Sequence, residues 1–117
     1  MLVNMIALVV FVASLSAGQL LFKTSASHLT AGAVPYALLL DPVFYLALAI
    51  YGAATVLWIW ILTRMPLSLA YPWVASTMVI VPLLAAFLFG ETLNLRFWLG
   101  SALVMAGIVT INLGGVT

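Results

Sequence analysis

The polar chemistry of this 117-residue sequence centres on two side chains near the end of its first apolar run. Gln19 and Lys23 are four residues apart, so a helix places them on the same face. An amide next to an ammonium group can bind a phosphate, because the lysine supplies positive charge and the amide supplies a directed hydrogen bond. A lysine that simply extends to the lipid headgroups is the alternative interpretation.

Only five side chains carry a formal charge, and they lie at the ends of apolar runs. Glu91 falls between the third and fourth runs, and Arg96 lies at the start of the fourth. Glu91 is either solvated, paired with Lys23 or Arg96, or used to recognise a cationic group. Together with the pair on the first run, Glu91 and Arg96 are candidate substrate-binding residues.

Several kinds of chemistry have no residues to support them. The chain has no cysteine, so it has no disulfide, no thiolate nucleophile and no cysteine-based metal site. Its one histidine, His28, cannot form a zinc site alone. No catalytic triad or nucleotide-binding loop is present, and a net charge of +1 gives no reason to expect nucleic acid. We therefore expect a protein that is not an enzyme and that uses no cofactor or metal.

The composition requires a membrane to position these residues. Hydrophobic residues make up 68% of the chain and charged residues 4%, against about 25% charged residues in soluble domains. Runs of about 20 apolar residues can cross a bilayer as helices. Four runs meet this length: 2–22, 43–63, 67–89 and 95–113. The sequence predicts an all-α integral membrane protein, a bundle of four transmembrane helices forming one domain over residues 1–117.

Local signals predict where these spans begin and end. Asp41 followed by proline is a typical helix start, and Arg64 suits a helix end at the membrane interface. Gly90 is placed to end the third span, and Asn94 can cap the fourth. In loop one, residues 31–40 are mostly apolar but too short to span, which predicts an interfacial or re-entrant segment.

The even number of spans divides the charges unequally between the two ends of the bundle. Four of the five charges, with His28, fall at the end formed by loops one and three, and Arg64 falls at the other. The numbers of lysines and arginines at the two ends are too similar to fix the membrane orientation.

Three further features allow both a structural and a functional interpretation. Tyr51 lies deep in span two and needs a hydrogen-bond partner there, which favours packing over ligand contact. Pro82 is expected to bend span three, either as a static kink or as a hinge for alternating access. In span four, Gly100, Gly107 and Gly114 form a stripe of small residues that marks close helix contact, within the chain or between chains.

Four motifs give the chain a family resemblance. Pro66–Pro72 (PLSLAYP), Phe89–Leu93 (FGETL) and Gly100–Ile108 (GSALVMAGI) resemble the drug/metabolite transporter superfamily, and the four-span size resembles its small multidrug resistance branch. With Ala17–Lys23 (AGQLLFK), the sequence is most similar to the flippase subunits for aminoarabinose-phosphoundecaprenol. The resemblance implies a bacterial inner-membrane protein that binds membrane lipid and a polyprenyl-phosphate-linked substrate.

The resemblance also implies roles for individual positions. Gln19 and Lys23 would lie near the lipid phosphate, Tyr71 would line the transport chamber, and Glu91 matches the family's acid after span three. A dimer contact would run along span four. The dimer could be a homodimer or a heterodimer with a similar small transporter. The residues implied in that contact are Gly100, Leu103, Gly107 and Ile108.

One departure separates this chain from the proton-coupled drug exporters of the same branch. Those proteins carry a glutamate in the middle of span one, whereas residues 13–16 here are Ala-Ser-Leu-Ser. Without that acid, exchange of a drug cation for a proton has no site in span one. We therefore expect a flippase for a lipid-linked sugar. The alternatives are a small multidrug resistance-like exporter of cations or metabolites and a non-transporting membrane subunit.

Overall fold

The computed structural model describes residues 2–29 and 35–114, which form helices joined by short turns. Four helical stretches are long and apolar enough to cross a membrane, which confirms the predicted all-α membrane fold. The third stretch consists of two helices, α3 and α4. The helices are α1 (Leu2–His28), α2 (Pro42–Leu62), α3 (Leu67–Val74), α4 (Thr77–Phe89) and α5 (Leu95–Gly114).

The helix ends follow from local capping chemistry. Asp41 precedes Pro42 and accepts a hydrogen bond of 3.0 Å from the backbone N–H of Val43, which caps α2. Gly90 ends α4 in the left-handed conformation with φ +71°, a geometry that disfavours other residues. Asn94 accepts a hydrogen bond from the N–H of Phe97 and so begins α5.

Helix α1 continues to His28, six residues beyond the predicted end of span one. The polar stretch after Phe22 contains no glycine or proline, and the Thr24 hydroxyl donates to the Leu20 carbonyl within the helix. Lys23 therefore lies on a rigid helix rather than in a loop. Of the interfacial segment predicted over residues 31–40, residues 35–40 form a short 3₁₀ helix, and residues 31–34 lie outside the described residues.

The third span is interrupted at Ala75 and Ser76. This interruption is separate from the bend expected at Pro82, which stays a prediction. Helix α4 runs through Pro82 without a break. At the interruption, the backbone N–H groups of Ala75 and Ser76 bond to carbonyls three residues back, as in a 3₁₀ turn. The hydroxyls of Ser76 and Thr77 also donate to carbonyls three residues back, which competes with regular helix bonding.

The bundle is packed most closely between α1 and α2. Their contact includes buried Leu8, Ala54 and Ile61, and the rings of Phe11 and Trp58 stack with centroids 4.8 Å apart. Helix α5 is attached more loosely, and Ile108 is its only buried residue. Most of α5 therefore faces the surroundings of the chain rather than its core.

Candidate functional site

A cavity of about 470 Å³, which we term the charged cavity, opens at the end of the bundle that carries most of the charges. Lys23 and Glu91 both line it, and their side chains form an ion pair with Nζ 3.8 Å from Oε2. The two side chains are 57% and 48% exposed, and ion pairs this exposed contribute about 0–1 kcal/mol. The pair can therefore open readily for a ligand. The cavity is lined by Gln19, Leu20, Phe22, Lys23, Val81, Pro82, Ala85 and Glu91.

The fold brings these residues together from distant parts of the sequence. Gln19 and Lys23 lie one turn apart on α1. Glu91 follows the left-handed Gly90, where the chain leaves α4 and passes close to the end of α1. Of the predicted substrate-binding residues, the structure groups Gln19, Lys23 and Glu91, and it adds the proposed hinge Pro82 to the same wall.

Gln19 is held in place by a residue that sequence reasoning assigned to packing. Its Nε2 donates a hydrogen bond to the hydroxyl of Tyr51 on α2. The Tyr51 ring lies directly on Gly18, where an added Cβ would overlap the ring atoms Cε2 and Cδ2. The same ring packs against Phe22, with centroids 5.0 Å apart. The deep position of Tyr51 predicted a polar partner but did not identify it.

A second opening of about 450 Å³, the apolar groove, borders the charged cavity. Leu20 lines both, so the two openings lie side by side. The groove runs between α1 and helices α3, α4 and α5, and its walls are almost entirely hydrocarbon. Its lining consists of Met5, Leu8, Val9, Val12, Ala13, Ser16, Ala17, Leu20, Trp73, Ser76, Ile80, Leu84 and Met105.

Two predicted substrate-binding residues lie outside the charged cavity. Arg96 is on the first turn of α5 and lines a separate cavity of about 210 Å³ with residues that include Met78 and Phe97. Tyr71 is on α3, near the opposite end of the bundle, with 61% of its surface exposed. Its ring packs edge-on against Trp58. The structure therefore does not bring either side chain to Lys23.

The predicted dimer-contact residues divide into an open group and a buried residue. A Cβ added to Gly100 or Gly107 meets no atom within 4 Å, and Leu103 is 74% exposed. These three positions follow each other at helical spacing along α5. Ile108 is only 4% exposed, because it points into the chain. Its side chain is therefore absent from the open face in this structure.

A second polar pair lies at the same end of the bundle and joins α1 to the start of α2. His28 Nδ1 is 3.0 Å from Asp41 Oδ2. Partial burial opposes ionisation of Asp41, but hydrogen bonds from His28 and from the Val43 N–H outweigh it and leave the pKa of Asp41 below its usual value. The pair links the two ends of loop one.

The four apolar spans are those of a small multi-pass membrane protein, and comparison with known proteins gives its class, a transporter. The chain is 39% identical over 110 residues to the "Probable 4-amino-4-deoxy-L-arabinose-phosphoundecaprenol flippase subunit ArnE" of Salmonella agona (strain SL483), an alignment that covers 92% of this chain and 97% of the relative. The protein of the same name from Salmonella typhimurium (strain LT2) gives the same values. The chain therefore belongs to this family of flippase subunits, which are transporters rather than enzymes.

Alignments with two other members of the family are shorter. The chain is 36% identical over 67 residues to the member from Proteus mirabilis and 36% identical over 72 residues to that from Pseudomonas fluorescens. These alignments span 59% and 63% of the two relatives. No family model matches the chain, and no solved structure matches it. Among the three functions considered from the sequence, the relatives' names favour the flippase.

Proposed function

We propose that this chain is a single-domain, four-span subunit of a flippase that moves a polyprenyl-phosphate-linked amino sugar across the bacterial inner membrane. The observation that carries the proposal is the shared wall at Leu20, where the charged cavity meets the apolar groove. A lipid-linked sugar has the same two-part character, a polar headgroup on a long hydrocarbon tail. The names of the relatives give the class of substrate.

The hydrocarbon tail fits the apolar groove for a simple energetic reason. Each CH₂ group that leaves an apolar environment for water costs about 0.8 kcal/mol. A transporter therefore need not enclose the tail, provided that the tail keeps contact with lipid or with an apolar wall. The groove offers such a wall directly beside the polar site.

The phosphate has the opposite requirement, because a charged group that loses water needs new partners. Lys23 supplies a positive charge in the charged cavity, and Gln19 supplies an amide from the adjacent turn of α1. Because the Gln19 amide is bonded to Tyr51, its direction is set before the ligand arrives. The two groups thus form a prepared binding site for the phosphate.

The proposal includes a partner subunit. Four helices are too few to surround a polar path, and most of α5 faces outward. The open positions Gly100, Leu103 and Gly107 offer a surface for a second small transporter, as a homodimer or a heterodimer.

Lys23 provides the direct test of the binding site. We expect Lys23→Gln to lower transport of the lipid-linked amino sugar in reconstituted vesicles at least tenfold, because hydrogen bonds to charged groups contribute about 1.5–3 kcal/mol. Lys23→Arg keeps the charge and should retain most of the activity.

The matched control is Arg64→Gln, which removes one positive charge at the far end of the bundle, where Arg64 packs over the ring of Trp60. This variant should transport normally once its membrane orientation is shown to be unchanged. If Lys23→Gln transports as well as the wild type, the proposed phosphate site is wrong.

A further inference from the structure

We propose that Lys23 and Glu91 recognise a zwitterionic headgroup by exchanging partners, with Lys23 turning to the phosphate and Glu91 to the ammonium of the amino sugar. The inference rests on the proposed function and adds a role for Glu91 in selecting the sugar. It makes Glu91 the residue that distinguishes an amino sugar from a neutral sugar on the same lipid.

The closed ion pair has the features that such an exchange requires. Both side chains line the same cavity and are about half exposed, and their charged atoms are 3.8 Å apart. Within the described part of the chain, neither side chain forms another hydrogen bond or ion pair. Both charges can therefore rotate towards a ligand without breaking another hydrogen bond or ion pair of the described residues.

The headgroup carries the complementary charges in one rigid unit. The amine on C4 and the phosphate on C1 are attached at opposite ends of the sugar ring, so the ring holds the ligand's cation and anion apart. Lys23 and Glu91 come from different elements, α1 and the turn after α4, and can each contact one side of the ring. Binding then replaces one weak ion pair with two charge-assisted contacts.

The same arrangement disfavours a lipid phosphate that lacks the amine. In that case Lys23 can turn to the phosphate, but Glu91 loses its partner and lies close to a second negative charge. Leaving a charge unpaired beside a like charge is unfavourable, and such a repulsive contribution is a common source of specificity. Glu91 therefore lowers the affinity for neutral-sugar lipids and raises it for amino-sugar lipids.

The test compares two substrates that differ only in this charge. One is the aminoarabinose-linked polyprenyl phosphate, and the other is the same lipid after chemical N-acetylation, which removes the positive charge. Vesicles carry the complete flippase with either wild-type chain or Glu91→Gln.

For the wild type we expect roughly 10- to 100-fold faster transport of the amine form, because a hydrogen bond to a charged group is lost on acetylation. Glu91→Gln should reduce this preference to within about threefold, and Glu91→Asp should retain it.

A control variant and a binding measurement separate recognition of the amine from other effects of the substitution. Asp41→Asn removes the other acid at this end of the bundle, which is paired with His28, and should leave the preference unchanged. Binding of both lipids, measured by native mass spectrometry, should show the same loss of preference in Glu91→Gln even if the rate of transport changes.

The outcomes distinguish this inference from the function on which it rests. Equal transport of both lipids by the wild type, or an unchanged preference in Glu91→Gln, overturns the exchange and leaves the flippase intact. Transport of neither lipid by the wild-type complex overturns both proposals.

Discussion

At the level of single residues, the contact between Gly18 and Tyr51 determines where the Gln19 amide points. Tyr51 can reach Gln19 only because the position beneath its ring has no side chain. The close approach couples a packing requirement on α1 to the geometry of the phosphate site. Gly18 must therefore stay small for Gln19, the next residue, to be held in its binding position.

We expect Gly18→Ala to destabilise the protein by about 1–3 kcal/mol, because the new methyl group must displace the Tyr51 ring. The displaced ring also releases Gln19, so transport should fall as well. Thermal unfolding in detergent and transport in vesicles measure the two effects.

Gly52→Ala is the matched control, since its added Cβ meets no atom within 4 Å. Tyr51→Phe separates the two effects, because it keeps the ring but removes the acceptor for Gln19. Equal changes in melting temperature for Gly18→Ala and Gly52→Ala would show that the ring does not occupy this position.

At the level of elements, the interruption at Ala75 and Ser76 divides the third span into two helices. Ser76 lines the apolar groove, so the irregular backbone lies at the wall of the proposed binding site. Irregular backbone at membrane depth is tolerated where it is enclosed by protein or satisfied by local bonds. Here the hydroxyls of Ser76 and Thr77 supply such bonds.

We expect the double variant Ser76→Ala/Thr77→Ala to slow backbone amide exchange around the interruption. Without the two hydroxyls, the carbonyls of Trp73 and Val74 lose a competing donor, which favours regular helix bonds. Hydrogen–deuterium exchange in detergent measures the change.

Thr110→Ala is the control, because the Thr110 hydroxyl bonds to the Ala106 carbonyl inside the unbroken α5. It should leave exchange at the interruption unaltered. If the double variant exchanges as the wild type does, the two hydroxyls do not cause the break.

The sequence predicts the helices far better than it predicts their rotation. Lipid provides no partners for free backbone groups, so apolar length alone requires four helical spans. The sides of these helices are nearly all apolar, however, and give little signal for which side faces inward. The sequence therefore does not predict that Ile108 is buried next to the open Gly107. Nor does it predict that Arg96 faces a different cavity from Lys23. Pairing of Lys23 with Glu91 was only one of several alternatives.

At the level of the whole molecule, the chain has a well-packed half and an open half. Helices α1 and α2 share the tightest contact, whereas α5 is attached partly through one hydrogen bond of 3.1 Å from Trp73 to Asn112. The outer face of α5 includes exposed Leu103 and Gly107, and Gly107 allows another backbone to approach closely. A partner subunit would complete this half.

We expect Gly107→Leu to reduce subunit association, because the larger side chain holds a partner helix away from α5. Native mass spectrometry from mild detergent measures the fraction of dimer. Gly52→Leu makes the same change at an exposed glycine of α2 and should leave association unaltered. The reverse result, with only Gly52→Leu disrupting the dimer, would move the interface to α2.

The hydrogen bond between His28 and Asp41 has a practical consequence for the study of this protein. It joins two residues thirteen positions apart and closes the base of loop one independently of the chain between them. In general, doubling the length of a loop adds only about 0.6 kcal/mol to the cost of closing it. An epitope or a single labelled cysteine placed between Leu29 and Pro35 can therefore report which side of the membrane this end occupies, in a chain that has no cysteine of its own to interfere.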